Sequence, residues 1–100
     1  MTDSEKKSDV IAKRILFEGR VTGVGFRFFA QRVVSGVDNL QGYVRNVSSN
    51  QVECVVQGRP EKVERAVLEL QKGPPTAHID KCHVTDIPVD TKRGPFSIVP

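Results

Sequence analysis

The chain has 100 residues, 38% of them hydrophobic and 27% charged, with a formal net charge of +3. That suits one soluble domain with a single modest core, mildly basic and so receptive to anions. No apolar run reaches membrane-spanning length, and no Lys/Arg block marks a nucleic-acid footprint, so neither partner is expected.

Met1 to Val10 are polar and charged. They read as a disordered tail ahead of a domain over residues 11–100. They also lack the apolar segment of a secretory leader, so the cytoplasm is the expected location. Ile11 to Glu18 alternates with apolar members on both faces, the pattern of a central strand. A loop rich in glycine follows, Gly19-Arg20-Val21-Thr22-Gly23-Val24-Gly25. From Phe26, apolar residues recur at Phe29, Ala30, Val33, Val34 and Val37, which is helical spacing. Asp38-Asn39 makes a turn. Leu40 to Val47 is a second strand, Ser48-Ser49-Asn50 a hairpin turn, and Val52 to Gln57 a third strand. Pro60 opens a second helix that runs to about Gln71 and ends at Gly73-Pro74-Pro75. His78 to about Val89 forms a fourth strand and its exit, and Phe96 to Val99 a short last strand.

The order strand, helix, strand, strand, helix, strand predicts an α+β fold of the ferredoxin-like split βαβ type. One antiparallel sheet carries two helices on one face, with a short terminal strand added. Crossovers of this kind are almost always right-handed. The second strand then runs parallel to the first, and its C-terminal end shares an edge with the glycine loop. Asn46 sits at that end. It alternates in phase with Leu40 and Val44, so it projects on the helix side, beside the start of the first helix.

That start is an anion site in outline. Its N–H groups and positive dipole end face the loop, and the loop's glycines let the backbone approach a ligand closely. Arg27, in the first turn, opposes the helix dipole, which a partner anion would explain. Its guanidinium fork matches two phosphate oxygens. The candidate phosphate cradle is the backbone from Val21 through Thr22, Gly23, Val24, Gly25 and Phe26 to Arg27.

Around it stands no general-base histidine, no nucleophile and no metal-ligand spacing. Cys54 and Cys82, like His78 and His83, lack the C-x-x-C or H-x-x-x-H pattern. Cys54 reads as a buried reduced thiol, and a disulfide to Cys82 is not expected in the cytoplasm. Cys82 and His83 are strand neighbours whose side chains diverge. No metal or cofactor is expected. Chemistry with so few groups must rest on positioning and charge stabilisation, as phosphoryl transfer does. The leaving group must depart without an acid, as the carboxylate of a mixed anhydride can. Asn46 can hold a water through its carbonyl and an oxygen through its amide.

Gly19-Arg20-Val21-Thr22-Gly23-Val24-Gly25-Phe26-Arg27 resembles the first acylphosphatase signature. Gly42-Tyr43-Val44-Arg45-Asn46, with Val52 and Gly58 beyond it, resembles the second. The likeness runs from about Ile11 to Val99. It implies a metal-free, free-standing enzyme that hydrolyses the carboxyl-phosphate bond of a small acyl phosphate and works as a monomer. Arg27 matches the family's phosphate-binding arginine and Asn46 its water-orienting asparagine. In that family the substrate's own phosphate helps to take the water's proton.

Thr22 stands where the family usually has glutamine, and the expected effect is on affinity or loop rigidity. Asn50 replaces a glycine in the hairpin turn, a change asparagine tolerates because it accepts positive φ. Val47 follows Asn46 where some relatives have a hydroxyl. Two alternatives use the same fold. One is an RNA-binding module, for which Gly25-Phe26-Arg27-Phe28-Phe29 superficially resembles RNP1; that motif belongs on the third strand, which has no aromatic. The other is a non-catalytic anion-binding domain, like the acylphosphatase-like segment of larger carbamoyl-transfer maturation proteins.

Overall fold

The computed structural model describes residues 9–100. The tail expected over Met1 to Val10 therefore falls, for residues 1–8, outside the described residues. The elements are β1 (Ile11–Arg20), α1 (Phe26–Ser35), β2 (Gln41–Ser48), β3 (Gln51–Gly58), α2 (Pro60–Lys72), β4 (His78–Ile87) and β5 (Ser97–Ile98). They form one sheet in the order β4-β1-β3-β2-β5. β3 lies between β1 and β2 and is antiparallel to both. Hence β1 and β2 run the same way, and their C-terminal ends share one edge. This is the ferredoxin-like arrangement.

Most boundaries differ from the expected ones by a residue or two, and two of the shifts flank the glycine loop and the first helix. β1 continues past Glu18 to Arg20 through a bulge between Glu18 and Gly19. A bulge bends and twists its strand, and here it steers the chain into the loop. α1 stops at Ser35, where the Gly36 N–H reaches the Arg32 and Val33 carbonyls. Val37 is still buried, as its spacing implied, but from beyond the helix.

Two details go beyond the expectation. The four long strands pair antiparallel, and the short terminal strand β5 runs parallel to β2. The reason is connectivity. β4 is antiparallel to β1 and ends at the far edge, and the chain crosses there before starting β5 in the direction of β2. Buried Gln57 fastens this crossing: it accepts from the Asp90 N–H at 2.9 Å and donates to the Asp90 carbonyl at 2.9 Å. The hairpin turn also differs. Among the described residues the non-glycine with positive φ is Asn39 (φ 63), not Asn50. The Asn50 N–H instead turns back to the Ser48 hydroxyl at 3.4 Å, a side-chain turn that needs no left-handed residue. The left-handed asparagine closes the link between α1 and β2.

Alternation explains the core. Ile15 and Phe17 of β1, Val44 of β2, and Val52, Cys54 and Val56 of β3 point to one face. They meet Phe26, Ala30 and Val34 of α1 and Val63, Ala66 and Leu70 of α2. Phe26 is the hinge of this packing near the loop, its ring centroid 4.8 Å from that of Phe17. Gly42 has φ 139, and a Cβ there would strike the Val55 backbone, so strand pairing itself demands the glycine of the second signature. Cys54 and Cys82 are both free thiols, and burial pushes the Cys54 thiol up.

The sheet's other face has a charged centre. Glu53 on β3 is only 4% exposed and is flanked by Arg14 and Arg45, the latter at 2.7 Å. Burial works against its charge, but hydrogen bonds and charges from both guanidinium groups outweigh it and hold the carboxyl below its usual range. A carboxyl whose pKa is lower in the folded than in the unfolded chain stabilises the fold above the unfolded value, about 4.3 for Glu. That contribution is lost as pH falls through the lower, folded value. Glu53→Gln is therefore expected to be less stable than wild type by about 1–3 kcal/mol at pH 7. In urea titrations from pH 7 to pH 2 the gap should close below about pH 4. A gap that stays constant with pH would exclude this account.

Candidate active site

The loop between β1 and α1 is shaped by its glycines. Gly23 and Gly25 have φ 72 and 82, and a Cβ on either would meet nothing within 4 Å. Left-handed backbone, rather than lack of space, is why these positions are glycine. Two hydroxyls brace the loop from outside. Thr22 donates through Oγ1 to the Ser49 carbonyl in the β2–β3 hairpin. Thr76, ahead of β4, donates to the Val24 carbonyl at 2.6 Å.

Of the loop's own carbonyls, that of Val24 is thereby taken up by a side chain from outside the loop. The first bond of α1 runs from the Phe29 N–H to the Gly25 carbonyl at 3.0 Å. The helix has no side-chain cap and no acidic residue in its first turn. The N–H groups of Phe26, Arg27 and Phe28 thus have no acceptor among the described residues. They form a concave set of donors at the positive end of a dipole.

A recess of about 220 Å³ opens on these donors. It is lined by Val21, Gly23, Gly25 and Phe26, by Arg27 and Phe28 of the first helical turn, and by Asn46 from β2. Arg27 is half-buried and has no carboxylate partner among the described residues. Asn46 is exposed at the end of β2, where the pairing with β3 slips between Asn46 and Ser48. Its carboxamide likewise has no hydrogen-bond partner among the described residues. The lining holds one cation, one carboxamide and no acid, histidine or thiol.

Two loop residues singled out from the sequence, Thr22 and Val24, do not line the recess; they anchor it through the bonds described above. Phe28 does line it, and sequence reasoning left that residue unassigned. Its signal was available: the helix stripe of Phe26, Ala30 and Val34 faces inward, which turns Phe28 outward. Thr76 gave no signal, because only the fold brings it to Val24. His83 faces Glu18, its Nε2 4.0 Å from Oε2, while Cys82 packs toward the core, so the two diverge.

A larger recess of about 430 Å³ lies at the junction of β1 and β4, lined by Arg20, His78 and Asp80. There His78 Nε2 stands 3.1 Å from Asp80 Oδ1, both on exposed side chains. Two of its three lining side chains are thus already paired with each other. The smaller recess is the one lined by Arg27 and by backbone donors that have no acceptor among the described residues.

The acylphosphatase family model matches residues 13–98. The chain belongs to the acylphosphatase family. It is 36% identical over 86 residues to the acylphosphatase of Koribacter versatilis, covering 86% of this chain and 77% of that one. The structure of the acylphosphatase from Bacillus subtilis superposes with a TM-score of 0.82 at 31% identity, covering 90% of this chain and 99% of that one. A probable carbamoyltransferase HypF of Methanocaldococcus jannaschii shares 40% identity over 75 residues, which is 10% of its length. This acylphosphatase-family chain is an enzyme of the hydrolase class, with the ferredoxin-like fold of its relatives. Among its described residues, no helix is long and apolar enough to cross a membrane.

Proposed function

We propose that this enzyme hydrolyses acyl phosphates to a carboxylate and inorganic phosphate at the recess between the glycine loop and Asn46. The observation that carries the reading is the pairing of an uncommitted arginine with uncommitted backbone donors in one recess that also holds Asn46. The phosphoryl oxygens take the amides of the loop and the Arg27 guanidinium. Charge builds on those oxygens in a loose transition state, so fixed donors there lower the barrier. Asn46 holds the water in line. The water oxygen forms a bond to phosphorus, the bond from phosphorus to the carboxyl oxygen breaks, and the carboxylate leaves with the electron pair. No lining side chain can take the water's proton, so it passes to a phosphoryl oxygen of the substrate.

The chain itself supplies the stabilising charge in this mechanism, so it needs no metal. It also reads as a monomer, and its free Cys54 and Cys82 suit the reducing cytoplasm. Thr22 acts by bracing: its hydroxyl holds the loop to the hairpin. The RNA-binding alternative finds no support on the open sheet face. The middle strand presents Gln51, Glu53, Val55 and Gln57 there, without an aromatic, and Glu53 already occupies Arg14 and Arg45.

Benzoyl phosphate hydrolysis in the presence and absence of EDTA tests the reading. The expected result is turnover at the same rate in both. Loss of activity with EDTA, restored by a divalent cation, would overturn the metal-free mechanism. No turnover at all, together with tight binding of inorganic phosphate, would favour the non-catalytic domain.

A further inference from the structure

We infer that Phe28 is the wall of the site against which the substrate's acyl group lies, so that the enzyme prefers acyl phosphates with aromatic or other apolar acyl groups. The inference rests on the acyl-phosphate reading above and adds to it the half of the substrate that Arg27 and Asn46 do not address.

Three phenylalanines fall within four residues, and the helix sorts them. Phe26 is buried against Phe17, and Phe29 packs at the core margin with its ring 5.7 Å from that of Phe26. Phe28, two positions from Phe26, points away from the core and is 69% exposed. No core contact explains it. A single exposed aromatic is unremarkable on a surface. This one differs in location: it lines the recess that contains the free donors and Arg27.

The recess is divided by chemistry. Amides and guanidinium converge at the helix start and suit the phosphoryl group. The Phe28 ring stands beside them and offers neither donor nor charge. A ligand with one anionic end and one apolar end matches that division. At about 220 Å³ the space is below the roughly 300–1,000 Å³ of drug-sized pockets, which suits a phosphoryl group with a short or flat acyl group. A planar aromatic acyl group can also stack offset or edge-on against the phenylalanine ring.

The test compares benzoyl phosphate with acetyl phosphate on wild type, Phe28→Leu and Phe28→Ala. The ratio of kcat/KM for benzoyl over acetyl phosphate should fall about tenfold in Phe28→Ala, the factor carried by about 1.4 kcal/mol of ring contact. Most of the change should appear in KM, and Phe28→Leu should restore part of it. A ratio unchanged across the three proteins overturns the inference, because a merely structural role would depress both substrates together. A second arm does not depend on turnover: binding of benzylphosphonate and methylphosphonate, followed by amide shifts. Wild type should prefer the benzyl compound and Phe28→Ala should lose that preference. Equal preference in both proteins overturns the acyl wall, while absence of turnover with the preference intact overturns only the hydrolytic reading.

Discussion

Arg27→Ala is expected to reduce kcat/KM on benzoyl phosphate by about a hundred- to a thousandfold without unfolding the protein. The two halves of that expectation have separate grounds. The loss of activity follows from charge. Arg27 is the one cation lining the recess. In the proposed mechanism its guanidinium meets the phosphoryl group as negative charge spreads over the equatorial oxygens, in a site whose other donors are neutral amides. The survival of the fold follows from what Arg27 lacks. It has no carboxylate partner among the described residues, so its removal leaves no buried charge unpaired. It also sits in the first turn of α1, where a cation opposes the dipole. Alanine there should leave the melting temperature unchanged or raise it slightly. Inorganic phosphate binding should weaken together with turnover, since the same oxygens are held in both. Arg27→Lys should recover only part of the loss, because an ammonium supplies the charge without the planar fork. Measurement of kcat/KM, phosphate affinity and thermal stability on the same three proteins decides the matter. Equal rates in wild type and a folded Arg27→Ala would remove Arg27 from the mechanism.

The parts of the site that sequence made legible are those set by period and connectivity. The helical spacing of Phe26, Ala30 and Val34 fixed which face of α1 is buried and that its start faces the loop. Strand order and alternation brought Asn46 to the edge where the loop lies, although loop and asparagine are far apart in the chain. The bracing was illegible for a physical reason. Thr22 and Thr76 act through single hydroxyl bonds to backbone carbonyls, and a threonine carries no sign of which carbonyl it will meet. Gln57 is similar: one buried amide fixes the crossing to β5 through Asp90, and in the sequence it is only a polar residue at the end of a strand. The hairpin misled in the opposite way. Asparagine's tolerance of positive φ is real, but the chain uses it at Asn39, while Ser48 satisfies the turn at Asn50.

Asn46→Ala should separate positioning of the water from binding of the phosphoryl group. Asn46 is exposed and has no hydrogen-bond partner among the described residues. No packed side chain or buried polar group depends on it, so stability should change by less than about 0.5 kcal/mol. Its proposed partner is the attacking water, which gains from the carboxamide mainly as it approaches phosphorus. An interaction made chiefly in the transition state appears in kcat rather than KM. Loss of one such positioned donor and acceptor is worth about a hundredfold or more in kcat. KM and phosphate affinity should stay close to wild type, the reverse of the pattern expected for Arg27→Ala. Asn46→Asp adds a second discrimination. The carboxylate keeps the size and the acceptor but places negative charge beside the phosphoryl oxygens, so phosphate affinity should fall as well as kcat. If Asn46→Ala raised KM and spared kcat, the residue would be a binding group and the water would have to be held elsewhere in the recess. Combining Arg27→Ala with Asn46→Ala completes the argument. Residues that act on one transition state are non-additive, so the double variant should lose less than the product of the two single losses.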